Sequence, residues 1–267
     1  MHVIPQTAPG IVAQGLTAKY EDTPVLNNVS IDFPAHCVST IIGPNGSGKT
    51  TLLRSLAGLH RTVSGQITLA GKNIAQTPRR DLARMLSVLP QAPTAPEGII
   101  VADLVSRGRH PHQTWLRQWS SSDQTEVHRA LQLTDSLDLA DRPLNSLSGG
   151  QRQRVWISMI LAQNTDVIFL DEPTTYLDLA TSVEILELVK QLRDDMARTI
   201  VMVLHDLNLA IRYSDFLVVM SNGQIAASGA PTAIVTPQLL REAFDLDATL
   251  LTDPTTGKPL VIPVPRS

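Results

Sequence analysis

Two glycine-rich segments about a hundred residues apart carry the residue types that bind phosphate groups. The first is Gly43-Pro44-Asn45-Gly46-Ser47-Gly48-Lys49-Thr50, and the second is Leu147-Ser148-Gly149-Gly150-Gln151. Glycines in the first let consecutive backbone N–H groups converge on an anion, at which the following helix points its positive end. Lys49 adds a mobile positive charge, and the Thr50 hydroxyl is placed to ligate Mg²⁺. The first segment therefore predicts a nucleoside triphosphate site.

The second segment predicts a helix N-terminus that also presents backbone amides. Ser148 is a typical N-cap residue, and Gly149 and Gly150 expose N–H groups for a second anion. An ordinary helix cap is the alternative for a bare Ser-Gly-Gly. The full string up to Gln151, shortly before an acidic strand end, favours the anion site. Together the two segments suggest that each copy of the chain completes the ATP site of a second copy.

An apolar run that ends in two carboxylates supplies the predicted hydrolytic groups. Val167-Ile168-Phe169-Leu170 precedes Asp171 and Glu172, and a parallel strand delivers its C-terminal residues to the ligand side of a sheet. We expect Asp171 to hold Mg²⁺, directly or through water, and Glu172 to polarise the attacking water as general base. A solvated helix start is the alternative for a lone Asp-Glu pair.

His205 follows the apolar run 199–204, which places it at a strand end as Glu172 is. There it can hydrogen-bond the γ-phosphate and help to hold the attacking water, although a lone histidine is more often structural. Elsewhere no Cys–His spacing suggests zinc.

Strands and helices must position these residues. Val25–Phe33 alternates as an antiparallel strand would, and Val38–Ile42 is a short strand that ends at Gly43. Apolar residues then recur at helical spacing; they are Leu52, Leu53, Leu56 and Leu59. This order of strand, glycine loop and helix is the context that a phosphate loop requires.

The composition changes after Gln91, where proline, glycine, tryptophan and histidine interrupt the pattern. We expect residues 92–160 to be a mostly helical insertion, with helices at 122–133 and 151–162. Regular α/β structure returns with strands at 167–170, 199–204 and 216–220 and a helix at 183–192. Alternation of strands and helices predicts a mainly parallel sheet. The proline-containing tail from Thr252 is predicted to be extended.

Composition excludes several other classes of protein. A hydrophobic fraction of 43% and a charged fraction of 18% are those of a globular chain. The net charge of −3 argues against binding of nucleic acid through a broad basic face. The single cysteine excludes an internal disulfide framework, and no apolar run approaches the length of a membrane span.

Taken together, the motifs resemble those of the ATP-binding cassette ATPases over nearly the whole chain. Residues 43–50 resemble the Walker A loop, 167–172 the Walker B strand, and 147–151 the signature sequence, the family's most specific motif. The resemblance implies an α/β fold, namely a RecA-like P-loop NTPase core with an antiparallel β subdomain and an inserted helical subdomain at about 92–160. It implies a single domain over 10–251, followed by the extended tail 252–267.

The resemblance also implies roles for individual residues. Gln91 matches the Q-loop glutamine, which contacts Mg²⁺ and the attacking water, and Asp178 matches the D-loop aspartate. Tyr20 matches the aromatic residue that stacks on adenine, with a surface tyrosine as the alternative. The implied catalytic residues are Glu172, His205 and Gln91, and the metal ligands are Thr50, Gln91 and Asp171. The implied nucleotide-binding residues are Tyr20, Gly43, Pro44, Asn45, Gly46, Ser47, Gly48, Lys49, Thr50, Thr51, Ser148, Gly149, Gly150, Gln151 and Asp178.

Within that family the chain resembles the ATPase subunits of importers for ferric siderophores, haem and vitamin B12. The resemblance lies in residues 107–112, 171–178, 204–208 and 257–260. One departure is Thr181-Ser182, where many members carry His-Gln. These positions lie beyond the D-loop, so hydrolysis is not put in doubt.

The resemblance implies ATP and Mg²⁺ as ligands, a second copy of the chain as partner, integral-membrane permease subunits and, indirectly, a substrate-binding protein. It implies a peripheral position at the cytoplasmic face of the inner membrane, and no nucleic acid. The solute is expected to be an iron chelate. Alternatives are an importer ATPase for another solute, an exporter subunit, a cassette ATPase acting on ribosomes or DNA, and a P-loop kinase. A kinase would leave the Ser148 segment unexplained.

Overall fold

The computed structural model describes residues 10–113 and 119–265. The strands are β1 Ile11–Tyr20, β2 Thr23–Phe33, β3 Val38–Ile42, β4 Thr62–Leu69, β5 Lys72–Asn73, β6 Leu86–Leu89, β7 Val167–Asp171, β8 Thr199–Val203, β9 Phe216–Ser221, β10 Gln224–Gly229, β11 Ala248–Thr252 and β12 Pro259–Pro263. The α-helices are α1 Lys49–Leu56, α2 Arg79–Met85, α3 Val101–Ser106, α4 Ser121–Leu133, α5 Gly149–Ala162, α6 Leu179–Met196, α7 Leu207–Tyr213, α8 Pro231–Ile234 and α9 Pro237–Phe244.

The described residues form two compact units. The first contains those up to Thr77 together with those from Val189 onward, and the second is Pro78–Leu188. The helical subdomain predicted at 92–160 lies within the second unit. The boundaries at 10, 251 and 252 stay predictions.

The first unit contains an antiparallel sheet in the order β2-β1-β4-β5. β1 pairs antiparallel with β2 and with β4, so the antiparallel pairing expected for 25–33 is confirmed. One face of the sheet is buried, because the alternate residues Val29, Ile31 and Phe33 of β2 point to the core while Ser30 and Asp32 between them are exposed. This sheet carries Tyr20 at the end of β1.

Strands β10, β9, β3 and β8 lie side by side in that order within the first unit. β3 pairs parallel with both β8 and β9, and β10 pairs antiparallel with β9. All five residues of β3 and all five of β8 are buried, as in a sheet covered on both faces. Parallel pairing brings the carboxyl ends of β3 and β8, followed by Gly43 and by Leu204-His205, to one edge of this sheet.

Helix α1 is shorter than the leucine spacing predicts. It ends at Leu56, because Gly58 adopts a left-handed conformation with φ 68° and the N–H of Leu59 bonds the Arg54 carbonyl. Leu59 lies beyond the helix and is 59% exposed. Its inclusion in the helix was therefore wrong.

The second unit pairs β6 with β7 in parallel. Between these strands the described residues contain only helices, turns and one isolated bridge, with α3, α4 and α5 packed on one another. The helices expected at 122–133 and 151–162 are confirmed. None of the helices in the described ranges has the length and hydropathy needed to span a bilayer.

The tail from Thr252 is part of a β-hairpin, in which β11 and β12 pair antiparallel from Ala248↔Pro263 to Thr252↔Pro259. Thr252 is thus the last residue of β11, and the expected extended tail is held by cross-strand pairing. Asn208 in α7 donates to the Val261 carbonyl at 3.1 Å and accepts from the Val261 N–H at 2.8 Å. Asp253 accepts from both Thr255 and Arg212. The hairpin is therefore fixed to α7.

Candidate functional site

The phosphate-loop residues connect β3 to α1 as the sequence predicts. Gly43 has φ 154° and Gly48 has φ 98°. A Cβ atom at Gly43 would lie 2.3 Å from the Met220 carbonyl oxygen, and one at Gly48 would lie 3.0 Å from the Val25 carbonyl oxygen. Glycine is thus required at both positions by conformation and by close backbone approach.

Lys49 lies over this loop in the first turn of α1. Its ammonium donates to the carbonyl oxygens of Gly43 at 3.0 Å and Pro44 at 2.9 Å, and the residue is only 6% exposed. The Ser47 hydroxyl oxygen is buried with no hydrogen-bond partner among the described residues. A buried hydroxyl without a partner is costly. A phosphate oxygen would satisfy it, so the loop fits the nucleotide that the sequence predicts.

The candidate base lies in the second unit, directly after β7. Asp171 ends the strand, and Glu172 adopts a left-handed conformation with φ 55°. Such a conformation is uncommon for a non-glycine residue and is often found at functional sites. The turn directs the Glu172 carboxylate to two donors, the Gln91 amide nitrogen at 2.6 Å and the Thr175 hydroxyl at 2.9 Å. The motifs predicted that Gln91 and Glu172 act on the same water, whereas no motif pointed to Thr175.

The Ser148 segment begins α5 with a capping box. Ser148 Oγ accepts from the Gln151 N–H at 3.3 Å, and Gln151 Oε1 accepts from the Ser148 N–H at 3.1 Å. The predicted N-cap is therefore confirmed. A Cβ at Gly150 would lie 2.6 Å from the Thr181 methyl group, so this glycine permits a close approach of α5 to the start of α6.

Asp178 is engaged by the same threonine. Its carboxylate accepts from the Thr181 N–H and hydroxyl, each at 2.9 Å, and these bonds hold the pKa of Asp178 below its ordinary value. Thr181 thus contacts both the second glycine segment and the predicted D-loop residue. In the sequence, Thr181 stood out only as a departure from the family pattern.

Two apolar side chains beside Asp178 are unusually exposed. Tyr176 is 97% exposed and has φ 66°, and Leu179 is 68% exposed. Both residues lie in the second unit, and the left-handed conformation of Tyr176 is uncommon for a bulky residue.

His205 lies two residues after the end of β8, and Leu204 between them is buried. Asp206 then caps α7 by accepting the Leu209 N–H at 2.8 Å. The cap places His205 at the junction of strand and helix, the strand-end position expected for it.

Tyr20 lies at the end of β1 and is 45% exposed. Its ring packs against His60, with 4.5 Å between the ring centroids and 46° between the planes. His60 was not singled out from the sequence, because its contact depends on how β1 and β4 are paired.

Residues 107–112 form a 3-10 helix anchored within the second unit. The Arg109 side chain is buried and donates to Asp123 at 2.9 Å and to the Ala162 carbonyl at 2.7 Å. Burial acts to raise the pKa of Asp123, but hydrogen bonds from Ser120 and Arg109 outweigh it and lower that pKa. His112 contacts the Gln163 carbonyl at 2.7 Å. This segment therefore connects α3, α4 and α5, while His110 within it is exposed.

A groove of about 630 Å³ opens in the second unit just after Gln91. It is lined by the segment 93–99, by Leu144 and Asn145, and by Arg152 and Trp156 of α5. Its wall mixes prolines and an aromatic ring with Arg152 and Glu97. Such a surface could bind an amphipathic helix.

The predicted metal ligands supply suitable donors for Mg²⁺. The Thr50 hydroxyl, the Asp171 carboxylate and the Gln91 amide oxygen are hard oxygen ligands. In the described ranges no group of three or more His, Cys, Asp or Glu side chains could hold a metal. Mg²⁺ held by one carboxylate and by substrate phosphates needs no such group.

Comparison with known proteins places the chain in a family. A sequence model of the ABC transporter family matches residues 26–175. The achromobactin transport ATP-binding protein of Dickeya dadantii is 48% identical over 96% of this chain and 95% of its own length. The petrobactin import ATP-binding protein of Bacillus anthracis is 47% identical over 93% of this chain and 91% of its own length. The ferric enterobactin transport ATP-binding protein of Escherichia coli is 42% identical over 94% of this chain and 93% of its own length.

Solved structures with a similar fold also belong to ABC transporters. An ABC transporter in an inward-facing conformation matches with a TM-score of 0.84 at 26% identity, over 97% of this chain and 98% of that one. The ADP conformation of the ATP-binding cassette MJ1267 matches with a TM-score of 0.76 at 26% identity, over 84% of this chain and 92% of that one. The chain belongs to the ABC transporter family, as one of its ATPases. The predicted P-loop NTPase fold class is confirmed.

Proposed function

We propose that this chain is the ATP-hydrolysing subunit of an importer that takes up an iron–siderophore-type chelate through separate membrane permease subunits. The observation that carries this proposal is the near-full-length similarity to the achromobactin, petrobactin and ferric enterobactin ATP-binding proteins. Haem, another metal or a corrinoid remains the second candidate solute. A cobalamin import ATP-binding protein of Halobacterium salinarum is 38% identical over 94% of this chain, which covers 63% of that protein.

In the proposed reaction, the loop 43–48 and Lys49 bind the ATP phosphates. Backbone amides and the Ser47 hydroxyl donate to the negatively charged phosphate oxygens. The Lys49 ammonium leaves the carbonyl oxygens of Gly43 and Pro44 and donates to phosphate oxygens instead. Thr50, Asp171 and Gln91 would hold Mg²⁺, which neutralises charge on the β- and γ-phosphates when it is bound. Tyr20 stacks on the adenine ring.

Glu172 acts as the general base for the attacking water. The residue is only 8% exposed and its carboxylate is oriented by Gln91 and Thr175, which supports a fixed direction for the proton-accepting oxygen. His205 hydrogen-bonds the γ-phosphate. A positioned general base contributes roughly a hundredfold to ten-thousandfold to a rate.

Two copies of the chain are proposed to bind ATP together. The γ-phosphate bound by Lys49 in one copy is also contacted by the Ser148–Gly150 segment of the second copy. The exposed Tyr176 and Leu179 beside Asp178 support contact between copies in this region. Nearly complete switching between open and closed dimers needs a difference of about 5.5 kcal/mol. Several charge-assisted hydrogen bonds at roughly 1.5–3 kcal/mol each can supply it.

The permease is proposed to dock in the groove beside Gln91. The 93–99 segment forms part of the groove, and Gln91, two residues before this segment, bonds Glu172. A permease helix in the groove would therefore act on residues adjoining those that orient the base. A peripheral position at the cytoplasmic face of the inner membrane and a substrate-binding protein on its other side belong to this proposal.

The proposal is tested by reconstituting the chain with its permease in vesicles and measuring ATP hydrolysis. Ferric siderophores, haem and cobalamin are each supplied with the corresponding binding protein. Stimulation and uptake that depend on one ferric siderophore are the expected result. Stimulation by cobalamin or haem alone would contradict the solute class, and co-purification with ribosomes instead of a permease would contradict transport.

A further inference from the structure

The ring contact between Tyr20 and His60 follows from the pairing of β1 with β4. Ala18 is the antiparallel partner of Thr62. Tyr20 lies two residues after Ala18, and His60 lies two residues before Thr62, where β4 begins, so the chain enters β4 beside the end of β1. The two rings accordingly meet, 4.5 Å apart.

His60 also belongs to the connection that leaves α1. The N–H groups of Leu59 and His60 both bond the carbonyl of Arg54, at 2.9 and 3.2 Å. Helix α1 begins at Lys49 and is eight residues long, or roughly 12 Å. His60 thus connects the Tyr20 ring to the C-terminal end of α1, and Lys49, proposed to bind phosphate, begins the same helix.

Hydrogen bonding does not account for the placement of this imidazole. Its Nε2 is buried and has no hydrogen-bond partner among the residues that the structure describes. Buried polar atoms nearly always have partners, and each exception asks for an explanation. The contact that the imidazole does make is with the ring of Tyr20, whose remaining surface is open.

We propose that His60 is a positioning residue for the nucleotide base. It holds the Tyr20 ring at a fixed place relative to the phosphate loop, so that ATP meets an aromatic surface already arranged for its adenine. Preorganisation of this kind raises affinity by reducing the ordering cost of binding. The inference rests on the proposed function, in which Tyr20 stacks on adenine.

The test compares a ligand that has a base with one that has none. ATP and inorganic tripolyphosphate are titrated calorimetrically into the full-length chain and into the variants His60→Ala, His60→Phe and Tyr20→Ala. We expect His60→Ala to weaken ATP binding about threefold to tenfold, the range for loss of an aromatic pair. Tripolyphosphate binding should not change, and His60→Phe should restore ATP affinity. Leu59→Ala, at the exposed neighbouring position, is the matched control.

Each outcome separates this inference from the proposed function. If Tyr20→Ala leaves ATP affinity unchanged, adenine stacking itself is wrong. If Tyr20→Ala weakens ATP binding and His60→Ala does not, only the role of His60 fails. Equal weakening of both ligands by His60→Ala would show damage to α1, and failure of His60→Phe to restore affinity would show that the imidazole acts by another means. Either result overturns the inference.

Discussion

Gln91 donates a hydrogen bond of 2.6 Å to the carboxylate of Glu172. Thr175 donates to the same oxygen at 2.9 Å. One oxygen of the proposed base is thus held by two donors, one two residues before the segment 93–99 and one in the turn after β7. Displacement of the segment 93–99 would alter the first bond while leaving the second, and this would link the proposed docking to the orientation of the base.

Glu172→Gln should abolish ATP hydrolysis while ATP binding is retained. A glutamine oxygen can still accept from Gln91 and Thr175, so the local hydrogen bonds survive and only the basicity is lost. We expect a fall in kcat of a hundredfold or more, measured by phosphate release, and an increased dimer population with ATP. Glu184→Gln, on the exposed side of α6, is the control. Normal turnover by Glu172→Gln would disprove its role as base.

Lys49→Ala should weaken ATP binding by roughly tenfold or more, because charge-assisted hydrogen bonds to phosphate are lost. Equilibrium titration of the isolated chain measures this directly. Lys72→Ala, which removes an exposed lysine from β5, should bind ATP as the parent does. Unchanged affinity after Lys49→Ala would contradict the phosphate-loop interpretation.

Ser148→Arg should disable hydrolysis and spare ATP binding to the single chain, since Ser148 is proposed to act on the nucleotide of the second copy. The change also removes the N-cap of α5, at a cost of about 1 kcal/mol. Thr236→Arg removes the N-cap of α9 and controls for that loss. Hydrolysis that survives Ser148→Arg would exclude a shared site.

Asn145→Trp should block transport without affecting ATP hydrolysis by the isolated chain. Asn145 is exposed at the groove, and a tryptophan there would fill part of the space in which we propose that a permease helix docks. Loss of co-purification with the permease is the measurement. Asp138→Trp introduces the same ring at an exposed position that does not line the groove. If both variants assemble with the permease, docking in this groove is wrong.

Asp253→Asn should destabilise the first unit near neutral pH, with an effect that fades in acid. Hydrogen bonds from Thr255 and Thr256, together with the charge of Arg212, lower the pKa of Asp253 to about 2. A lowered folded-state pKa stabilises the fold above the ordinary value of about 3.9 and loses that effect as the pH falls towards 2. Denaturant unfolding of both proteins between pH 5 and 2 should show converging stabilities. If the difference in unfolding free energy between the two proteins stayed constant over this pH range, the lowered pKa of Asp253 would be refuted.

The sequence predicted those parts of the fold whose signals are local. The glycine loop between β3 and α1, the capping residue Ser148 and the acidic end of β7 each depend on a few consecutive residues. The early end of α1 had a local signal in Gly58, but the leucine spacing favoured a longer helix. Local chemistry thus outweighed periodicity at this point.

The remaining parts depend on contacts between distant segments. His60 meets Tyr20 only through the register of β1 and β4, and Thr175 reaches Glu172 only because Glu172 adopts a left-handed conformation. Likewise, the strand β12 was expected to be merely extended, since its partner β11 and its bonds to Asn208 are set by tertiary structure. Single-sequence patterns carry no record of such pairings.

The first unit combines residues up to Thr77 with residues from Val189 onward. Its strands therefore cannot all pair until late in synthesis on the ribosome. Val38 of β3 finds its partner Ile200 in β8 roughly 160 residues later. At about 5–20 residues per second, β3 waits roughly 8 to 30 s for that neighbour while the whole of Pro78–Leu188 is being made. During this interval β3, all five residues of which are buried in the folded protein, lacks both of its neighbouring strands, and the nascent chain is therefore open to non-native contacts.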